Sequence, residues 1–241
     1  MFLRLLRGLT DIIYPRLCLI CRKNLKNAPS IEKLVCAGCW ANLKQNLPPF
    51  CFSCGRHLDA ENSLNICATC RAKKLYFDRA FSPCIYAGAI KELIGQLKYK
   101  NKDYLGRALS GLMIGFIREY NLPIHKIDFI IAMPLHKRRL REREFNQAKI
   151  LAGFIASKFN KPLLDGVLKR WRYTETQTSL EGERRFLNVR GSFRLAKNNE
   201  VKGKNILLID DVLTTGATSS EAAYTLKTGG AEKVLVLTLA N

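Results

Sequence analysis

The chain has 241 residues, 47% of them hydrophobic, and a formal net charge of +20 at pH 7. This composition excludes an intrinsically disordered chain, and the length allows a full hydrophobic core and two domains. The positive charge favours polyanionic partners such as nucleic acid, an anionic membrane surface or a phosphorylated substrate. A generally basic protein without such a partner has the same composition, so charge alone does not decide between these classes.

Residues 1–14 predict an amphipathic helix. Apolar residues from Phe2 to Ile13 recur at the spacing of one helical face, with charged residues opposite. The segment is too short to span a membrane, and no small-residue cleavage site follows it. We expect the helix to pack on its own protein and the chain to be cytoplasmic. A peripheral contact with the inner membrane or with a partner is the alternative.

Eight of the nine cysteines form four Cys-x-x-Cys pairs, which predict a double zinc ribbon over residues 15–78. A two-residue gap lets one tight turn aim two thiolates at a single tetrahedral ion, and two such turns complete a structural zinc site. A reducing compartment disfavours disulfides, and iron–sulfur ligation, whose usual spacings differ, is the runner-up. Whether the pairs combine sequentially or interleave stays open. The predicted ligands are Cys18, Cys21, Cys36, Cys39, Cys51, Cys54, Cys67 and Cys70.

The two four-cysteine units repeat each other in sequence. Residues 21–25 match 54–58, and residues 35–39 match 66–70. His57 has no histidine counterpart in the first unit, so we interpret it as a surface residue and not a ligand. Exposed aromatic and basic side chains on such ribbons can contact nucleic acid, or they can cover a small core, and the sequence favours neither. The side chains in question are Trp40, Phe50, Phe52, Arg56 and Arg71.

Residues 79–241 predict an α/β domain. Alternating strands and helices indicate a mostly parallel sheet covered by helices on both faces. The lone Cys84 is expected to be a small buried residue. The predicted elements are a short strand at 85–87, helices at 89–99 and 105–120, a buried strand at 128–134, a helix through 145–155, one arm of a hairpin at 191–195, and a last strand at 234–239.

Residues 206–218 predict the centre of the functional site. A short aliphatic run indicates a buried parallel strand, and Asp210 and Asp211 follow it. A small, hydroxyl-rich turn then leads into a helix at 219–228. Backbone N–H groups of such a turn, together with the helix dipole, hold phosphate, and Gly216 allows close approach. The loop matches neither the Walker nor the dinucleotide-binding pattern. The combination suits a sugar phosphate, because the acids can bind the sugar hydroxyls while the loop binds the phosphate.

Two further segments are predicted to lie near this loop. Residues 135–143 carry many cations directly after a predicted parallel strand, at the usual ligand edge of an open sheet, where they suit pyrophosphate. A solvated basic face is the alternative. Residues 168–190 are polar and basic without a clear period, which is typical of a mobile loop over an anionic site.

These motifs resemble those of the ComF/GntX family, within the type I phosphoribosyltransferase superfamily. The resemblance rests on the cysteine pairs, Pro-Leu-x-x-x-Arg with Phe-Asn-Gln, Thr-x-x-Gln-x-x-Leu with Arg-x-x-Asn, and Asp-Asp-Val-x-Thr-Thr-Gly-x-Thr, in the family's order. It implies a double zinc ribbon with two structural zinc ions ahead of a type I phosphoribosyltransferase fold. It also implies binding of phosphoribosyl pyrophosphate (PRPP) or a related ribose phosphate with Mg²⁺, and a link to DNA uptake in natural transformation.

The resemblance also implies roles for individual residues. Asp210 and Asp211 would hold the ribose hydroxyls. The 5′-phosphate loop would comprise Thr214, Thr215, Gly216, Ala217 and Thr218, and the pyrophosphate loop Met133, Pro134, Leu135, His136, Lys137 and Arg138. The flexible loop would contribute Arg172, Thr174, Gln177, Arg184, Arg185 and Asn188. Glu144 departs from the family pattern, because it stands where a glycine is usual and changes backbone freedom and charge at that turn.

Three functions stay open on the sequence. The first is a phosphoribosyltransferase with an unidentified acceptor and no certain catalytic residue. The second is a non-catalytic module that uses the PRPP-type pocket for sensing and binds single-stranded DNA. The third is a bridging protein that contacts DNA-uptake or helicase partners at the inner membrane. The oligomeric state is not indicated by the residues.

Overall fold

A computed structural model describes residues 16–26, 28–59, 64–98, 104–174, 182–196 and 200–241. The amphipathic helix predicted for residues 1–14 lies outside these ranges, as does Gln177 of the predicted flexible loop. Over the ranges that are described, no helix is both long enough and apolar enough to cross a membrane.

The described residues form eight strands, eight helices and one short 3-10 helix at Ile124–Lys126. The strands are β1 (Ser30–Ile31), β2 (Val35–Cys36), β3 (Arg79–Phe81), β4 (Phe129–Ala132), β5 (Leu168–Arg170), β6 (Phe193–Leu195), β7 (Asn205–Val212) and β8 (Lys233–Ala240). The helices are α1 (Ala37–Ala41), α2 (Ala68–Ala72), α3 (Gly88–Leu97), α4 (Leu105–Glu119), α5 (Lys137–Arg143), α6 (Gln147–Phe159), α7 (Gly182–Val189) and α8 (Ala217–Thr228).

A four-stranded parallel sheet lies at the centre, in the order β3-β8-β7-β4. Strand β7 alternates its buried side chains between the two faces, as a strand between two layers must. Leu207 and Ile209 pack with helices α3, α4 and α6, whereas Ile206 and Leu208 pack with α8 and the antiparallel β5–β6 pair. The predicted parallel sheet with helices on both faces is therefore confirmed.

The short strand predicted at residues 85–87 is wrong. The first strand of the sheet is β3, in which Ala80 and Phe81 are buried and pair with β8. In the later segment the amide of Ile85 donates to Lys44 O, and the chain then turns into α3 at Gly88, whose φ is +52°. Residues 85–87 thus form no strand, although Cys84 makes an isolated bridge to Ala240 of β8, and Cys84 is buried as predicted.

Two segments predicted as loops contain helices. Residues 137–143 form α5, in which the Arg138 Nε and Glu142 Oε1 atoms lie 3.2 Å apart across one turn. Residues 182–189 form α7, which ends with the buried Val189. Within the segment 191–195, residues 193–195 form β6, which pairs antiparallel with β5. The predicted strand is therefore present, but α7 lies between the two strands, so they do not form the predicted hairpin.

Candidate functional site

The eight paired cysteines form two groups of four in sequential order. In each group the four Sγ atoms lie within 4.8 Å of one another. The Sγ atoms of Cys21 and Cys36 are 3.7 Å apart, and so are those of Cys54 and Cys67. A tetrahedral zinc ion with Zn–S bonds of about 2.3 Å needs sulfurs about 3.8 Å apart, so both groups fit zinc. The groups are Cys18, Cys21, Cys36, Cys39 and Cys51, Cys54, Cys67, Cys70.

The two groups share the same backbone support. The amide of Cys36 lies 3.4 Å from the Cys18 sulfur, and the amide of Cys67 lies 3.3 Å from the Cys51 sulfur. Such N–H···S bonds favour the charged thiolate that a metal needs. His57 lies outside both groups, with its Nδ1 atom 2.7 Å from Leu47 O, in agreement with its interpretation as a surface residue.

The predicted 5′-phosphate loop joins β7 to α8. Gly216 is the N-cap of α8 and has φ +78°, a left-handed conformation that glycine adopts without strain. Because the cap residue has no side chain, it cannot occupy the amides of the first helical turn. The first hydrogen bond of the helix runs from the Ser220 amide to Gly216 O at 2.7 Å. The loop therefore has the form of an anion cradle at a helix N-terminus.

The two acids at the end of β7 have different electrostatic environments. Burial, together with the charge of Asp211, raises the pKa of Asp210 well above its usual value. Burial also acts on Asp211, but the Lys98 ammonium, 2.6 Å from Asp211 Oδ2, lowers the pKa of that carboxyl overall. Asp211 is therefore the ionised member of the pair, and Asp210 retains its proton to a higher pH.

The pyrophosphate turn is held by the Phe-Asn-Gln motif. Asn146 Nδ2 donates to Met133 O at 3.0 Å, while its Oδ1 atom accepts from the Ala148 amide and so caps α6. Arg143 Nη1 donates to Gln147 Oε1 at 3.1 Å. The motif thus fixes the end of β4 relative to helix α6.

Within the same turn, Glu144 has φ +66° and forms the left-handed C-cap of α5. A glycine takes this conformation freely, whereas a residue with a Cβ takes it at a cost. The unusual residue at this position is therefore explained as a strained cap.

Arginine side chains make several contacts at the base of the predicted flexible loop. Arg172 donates to Asn188 O at 2.9 Å, and Arg139 donates to Thr174 O at 3.3 Å. Arg170 also donates to the buried hydroxyl of Thr174. Burial, and secondarily the Arg139 charge, lowers the pKa of Arg170 to about 10.

These elements enclose a cleft of about 220 Å³ at the carboxyl ends of β4 and β7. The described cations that line it are Lys98, Arg139, Arg143, Arg170 and Arg185, and the acids are Asp210 and Asp211. Of the residues predicted for the site, the lining includes Met133, Leu135, Arg185, Asp210, Asp211, Thr214 and Thr218. This excess of cations over acids suits an anionic ligand.

Sequence reasoning missed several lining residues, above all Lys98, Gln147 and Arg170. Lys98 lies in the last turn of the helix predicted at 89–99, so its position gave no direct sign of the site. Arg170 lies in the segment 168–190 that was predicted to cover an anionic site, but no role was predicted for this residue. Of these three residues, Gln147 could have been identified from the sequence, because it belongs to the Phe-Asn-Gln motif.

The other half of the predicted pyrophosphate loop faces a larger groove of about 890 Å³. Pro134, His136 and Lys137 line this groove, which shares Leu135 and Arg170 with the cleft. His136 Nδ1 accepts from the Arg138 amide, and the Arg138 guanidinium lies 4.9 Å from the Tyr173 ring centre. The structure therefore divides the residues predicted for one loop between two adjoining spaces.

Comparison with known proteins supports both parts of the architecture. A family model for the double zinc ribbon domain matches residues 9–71, and one for the phosphoribosyl transferase domain matches residues 146–241. Competence protein F of Haemophilus influenzae is 30% identical over 227 residues, which is 92% of this chain and 96% of that protein. The chain belongs to the ComF family.

Other relatives extend the same match. The DNA utilization protein YhgH of Salmonella typhi is 31% identical over 226 residues, 92% of this chain and 95% of that protein. Competence protein ComFC of Bacillus subtilis is 28% identical over 240 residues, 94% of this chain and 95% of that protein. The ComF chain described here therefore aligns with its relatives across both the zinc ribbons and the transferase-like domain.

Proposed function

We propose that this ComF protein binds PRPP, or a related ribose phosphate, together with Mg²⁺ in the cleft at the ends of β4 and β7. The observation that carries the proposal is the meeting of three features in that cleft. An acid pair, a glycine-capped helix N-terminus and a cluster of arginines lie side by side. They match the hydroxyls, the 5′-phosphate and the pyrophosphate of one ligand.

Each feature would act on a different part of the ligand. Asp210 and Asp211 would accept hydrogen bonds from the ribose hydroxyls, and the loop at 214–218 would donate backbone N–H groups to the 5′-phosphate. Arg139 and Arg143 would hold the pyrophosphate. Bound Mg²⁺ would neutralise part of the pyrophosphate charge and so make it a better leaving group. The protein contributes positioning and charge stabilisation, which is what displacement at the ribose C1 requires.

The names of the relatives suggest the biological setting. Competence protein F and ComFC are named for competence, and YhgH for DNA utilization. We propose by extension that this chain serves DNA uptake in natural transformation.

Calorimetry with PRPP and Mg²⁺ tests the ligand, with pyrophosphate release measured in the same samples. The double variant Asp210→Asn/Asp211→Asn should lose at least about 100-fold in affinity, since it removes the charge of Asp211 and replaces both carboxyl groups that would accept from the ribose hydroxyls. Asp59→Asn, an exposed carboxylate on the second ribbon, is the matched control. Wild-type binding without release would indicate a sensor and not a transferase. Absence of wild-type binding would contradict the proposal.

Single-stranded DNA is a second candidate ligand, favoured by two exposed aromatic side chains that carry stacked arginines. Phe52 is 60% exposed with the Arg79 guanidinium 5.0 Å from its ring centre, and Trp171 is 48% exposed with Arg194 at 3.7 Å. Aromatic stacking beside cations is the usual platform for unpaired bases. Phe52→Ala and Trp171→Ala should each weaken oligonucleotide binding about 10-fold, and wild-type affinity should fall steeply with salt. Affinity that is insensitive to both would rule this candidate out.

A further inference from the structure

The second zinc ribbon contacts the predicted 5′-phosphate loop directly. Arg56, two residues after the ligand Cys54, donates from Nη2 to the carbonyl oxygen of Thr214 at 2.9 Å. Thr214 is the first residue of the loop. The matching position in the first ribbon is Lys23, which is exposed. The contact therefore distinguishes two ribbons that otherwise repeat each other.

The backbone that carries Arg56 is fixed on the sheet. Gly55 has φ +69°, and a Cβ at this position would lie 2.3 Å from the carbonyl oxygen of Ala80 in β3. The Ala80 amide donates to Ser53 O at 2.7 Å, and Asn46 Nδ2 donates to Gly55 O at 2.7 Å. The turn before Arg56 is thus bound to the edge strand of the same sheet that carries the loop.

The segment after the second ribbon packs against the other end of the loop. Leu75 and Phe77 lie under Gly216, each with an atom 3.5 Å from the position of an added Cβ. The Tyr76 amide donates to Ser220 Oγ at 3.0 Å in the first turns of α8. The loop is therefore held from both ends by residues of the ribbon and of the segment that follows it.

Peptide geometry gives the Arg56 contact a consequence for ligand binding. In a trans peptide the carbonyl of one residue and the N–H of the next point in opposite directions. A hydrogen bond that holds Thr214 O toward Arg56 therefore directs the Thr215 N–H away from Arg56. A phosphate cradle depends on several backbone N–H groups converging on one anion. Fixing the first of these peptides reduces the ordering that the ligand must cause.

We propose that Arg56 is a positioning residue for the 5′-phosphate site, through which the second zinc ribbon sets the conformation of the loop at 214–218. This inference rests on the proposed PRPP-type function of the cleft. The ligand class it concerns is a ribose 5-phosphate ester, and inorganic pyrophosphate bound near Arg139 and Arg143 should not depend on it.

Amide hydrogen exchange of the ligand-free full chain tests the positioning first. Arg56→Ala should speed exchange in peptides covering 212–220 about 10-fold, while Lys23→Ala, the matched substitution in the first ribbon, should leave them unchanged. The zinc content of both variants should equal that of wild type, which separates loop positioning from loss of the ribbon. Unchanged exchange in Arg56→Ala would overturn the inference.

Calorimetry with two probes then tests the consequence. Arg56→Ala should weaken ribose 5-phosphate about 10-fold and change pyrophosphate affinity less than 2-fold, and Arg56→Lys should recover part of the loss. A parallel fall for both probes, or no fall for ribose 5-phosphate, would overturn the inference. If wild type binds neither probe while exchange in Arg56→Ala is faster, the proposed function fails and the positioning of the loop by Arg56 stands.

Discussion

The two zinc ribbons have matching internal geometry but different neighbours. In both, the third cysteine's amide lies close to the first cysteine's sulfur, and the residue after the second cysteine has a left-handed backbone. The first ribbon lies on the helical layer, where Gln96 Nε2 of α3 donates to Leu19 O at 3.0 Å. The second ribbon lies on the edge of the sheet and reaches the phosphate loop through Arg56.

This difference shows that the geometry of the metal site and the packing of the ribbon against the rest of the protein are separate properties of the repeat. Arg22 and Gly55 occupy matching positions with φ of +61° and +69°. Arg22 is exposed, whereas Gly55 faces the Ala80 carbonyl with no space for a side chain. The backbone conformation serves the metal turn in both ribbons, and the glycine serves the contact with the sheet in the second ribbon.

The largest effect is expected from removing a metal ligand in each ribbon. Cys36→Ser and Cys67→Ser should each lower the free energy of unfolding by about 4 kcal/mol, because each ribbon depends on its metal for folding. Each variant should also lose one of two zinc ions by metal analysis. Cys67→Ser should in addition weaken ribose 5-phosphate binding by at least about 10-fold, since it releases the turn that carries Arg56. Equal loss of ligand affinity in both variants would remove the distinction between the ribbons.

The next prediction distinguishes the packing of the second ribbon on the sheet from its metal binding. Gly55→Ala should lower the free energy of unfolding by about 3 kcal/mol, because its Cβ collides with the Ala80 carbonyl and the φ is strained. Arg22→Ala, the matched control, should change it by less than about 0.5 kcal/mol. Denaturant unfolding measures both, and zinc content should stay at two ions. A large loss in Arg22→Ala would show that the metal turn, and not the docking, sets the requirement.

The sequence was sufficient to predict those parts of the structure whose determining contacts are local. The cysteine pairs, strand β7 and the loop at 214–218 each carry their spacing or polarity within a few residues. In the structure the cysteines form two groups of four, β7 is a parallel strand, and a turn joins it to α8, which begins two residues earlier than predicted. The sequence was insufficient to predict contacts between residues that are far apart in the chain. Arg56 and Thr214 are 158 residues apart, so no local pattern could indicate their hydrogen bond.

The wrong strand at 85–87 has the same cause. An apolar run of that length fits either a strand or a buried irregular segment. In the structure the earlier residues 79–81 make the regular pairing with β8. Likewise, basic spacing alone could not place Lys98 beside Asp211, because the pairing depends on where α3 ends relative to β7.

A smaller effect is expected at Lys98. This residue directly follows α3, the helix that contacts the first ribbon, and it forms an ion pair with Asp211 in the cleft. Lys98→Met should lower the free energy of unfolding at pH 7 by about 2 kcal/mol, since it leaves the Asp211 carboxylate buried without its cation, while the partial exposure of Lys98 limits the loss. The pKa of Asp211 is lowered in the folded wild type, so this stabilisation is present above the unfolded value of about 3.9 and is lost as pH falls through the folded value.

The check is urea unfolding of wild type and Lys98→Met between pH 3 and 8. The difference between them should be constant near neutral pH and shrink at the acidic end. Lys91→Met, earlier on the same helix, is the control and should follow wild type at every pH. A difference that persists at the acidic end would mean that Lys98 stabilises by packing and not by its charge.

The smallest effect tests the turn at Glu144, which lines the larger groove and not the cleft. Glu144→Gly should raise the free energy of unfolding by about 0.5–1 kcal/mol, because relief of the left-handed strain at φ +66° exceeds the added flexibility of glycine in the unfolded chain. Asn160, which ends α6 with φ +49°, offers the control, because asparagine tolerates this conformation and Asn160→Gly should gain less. If Glu144→Gly is destabilised instead, the glutamate side chain contributes more to the turn than its backbone strain costs.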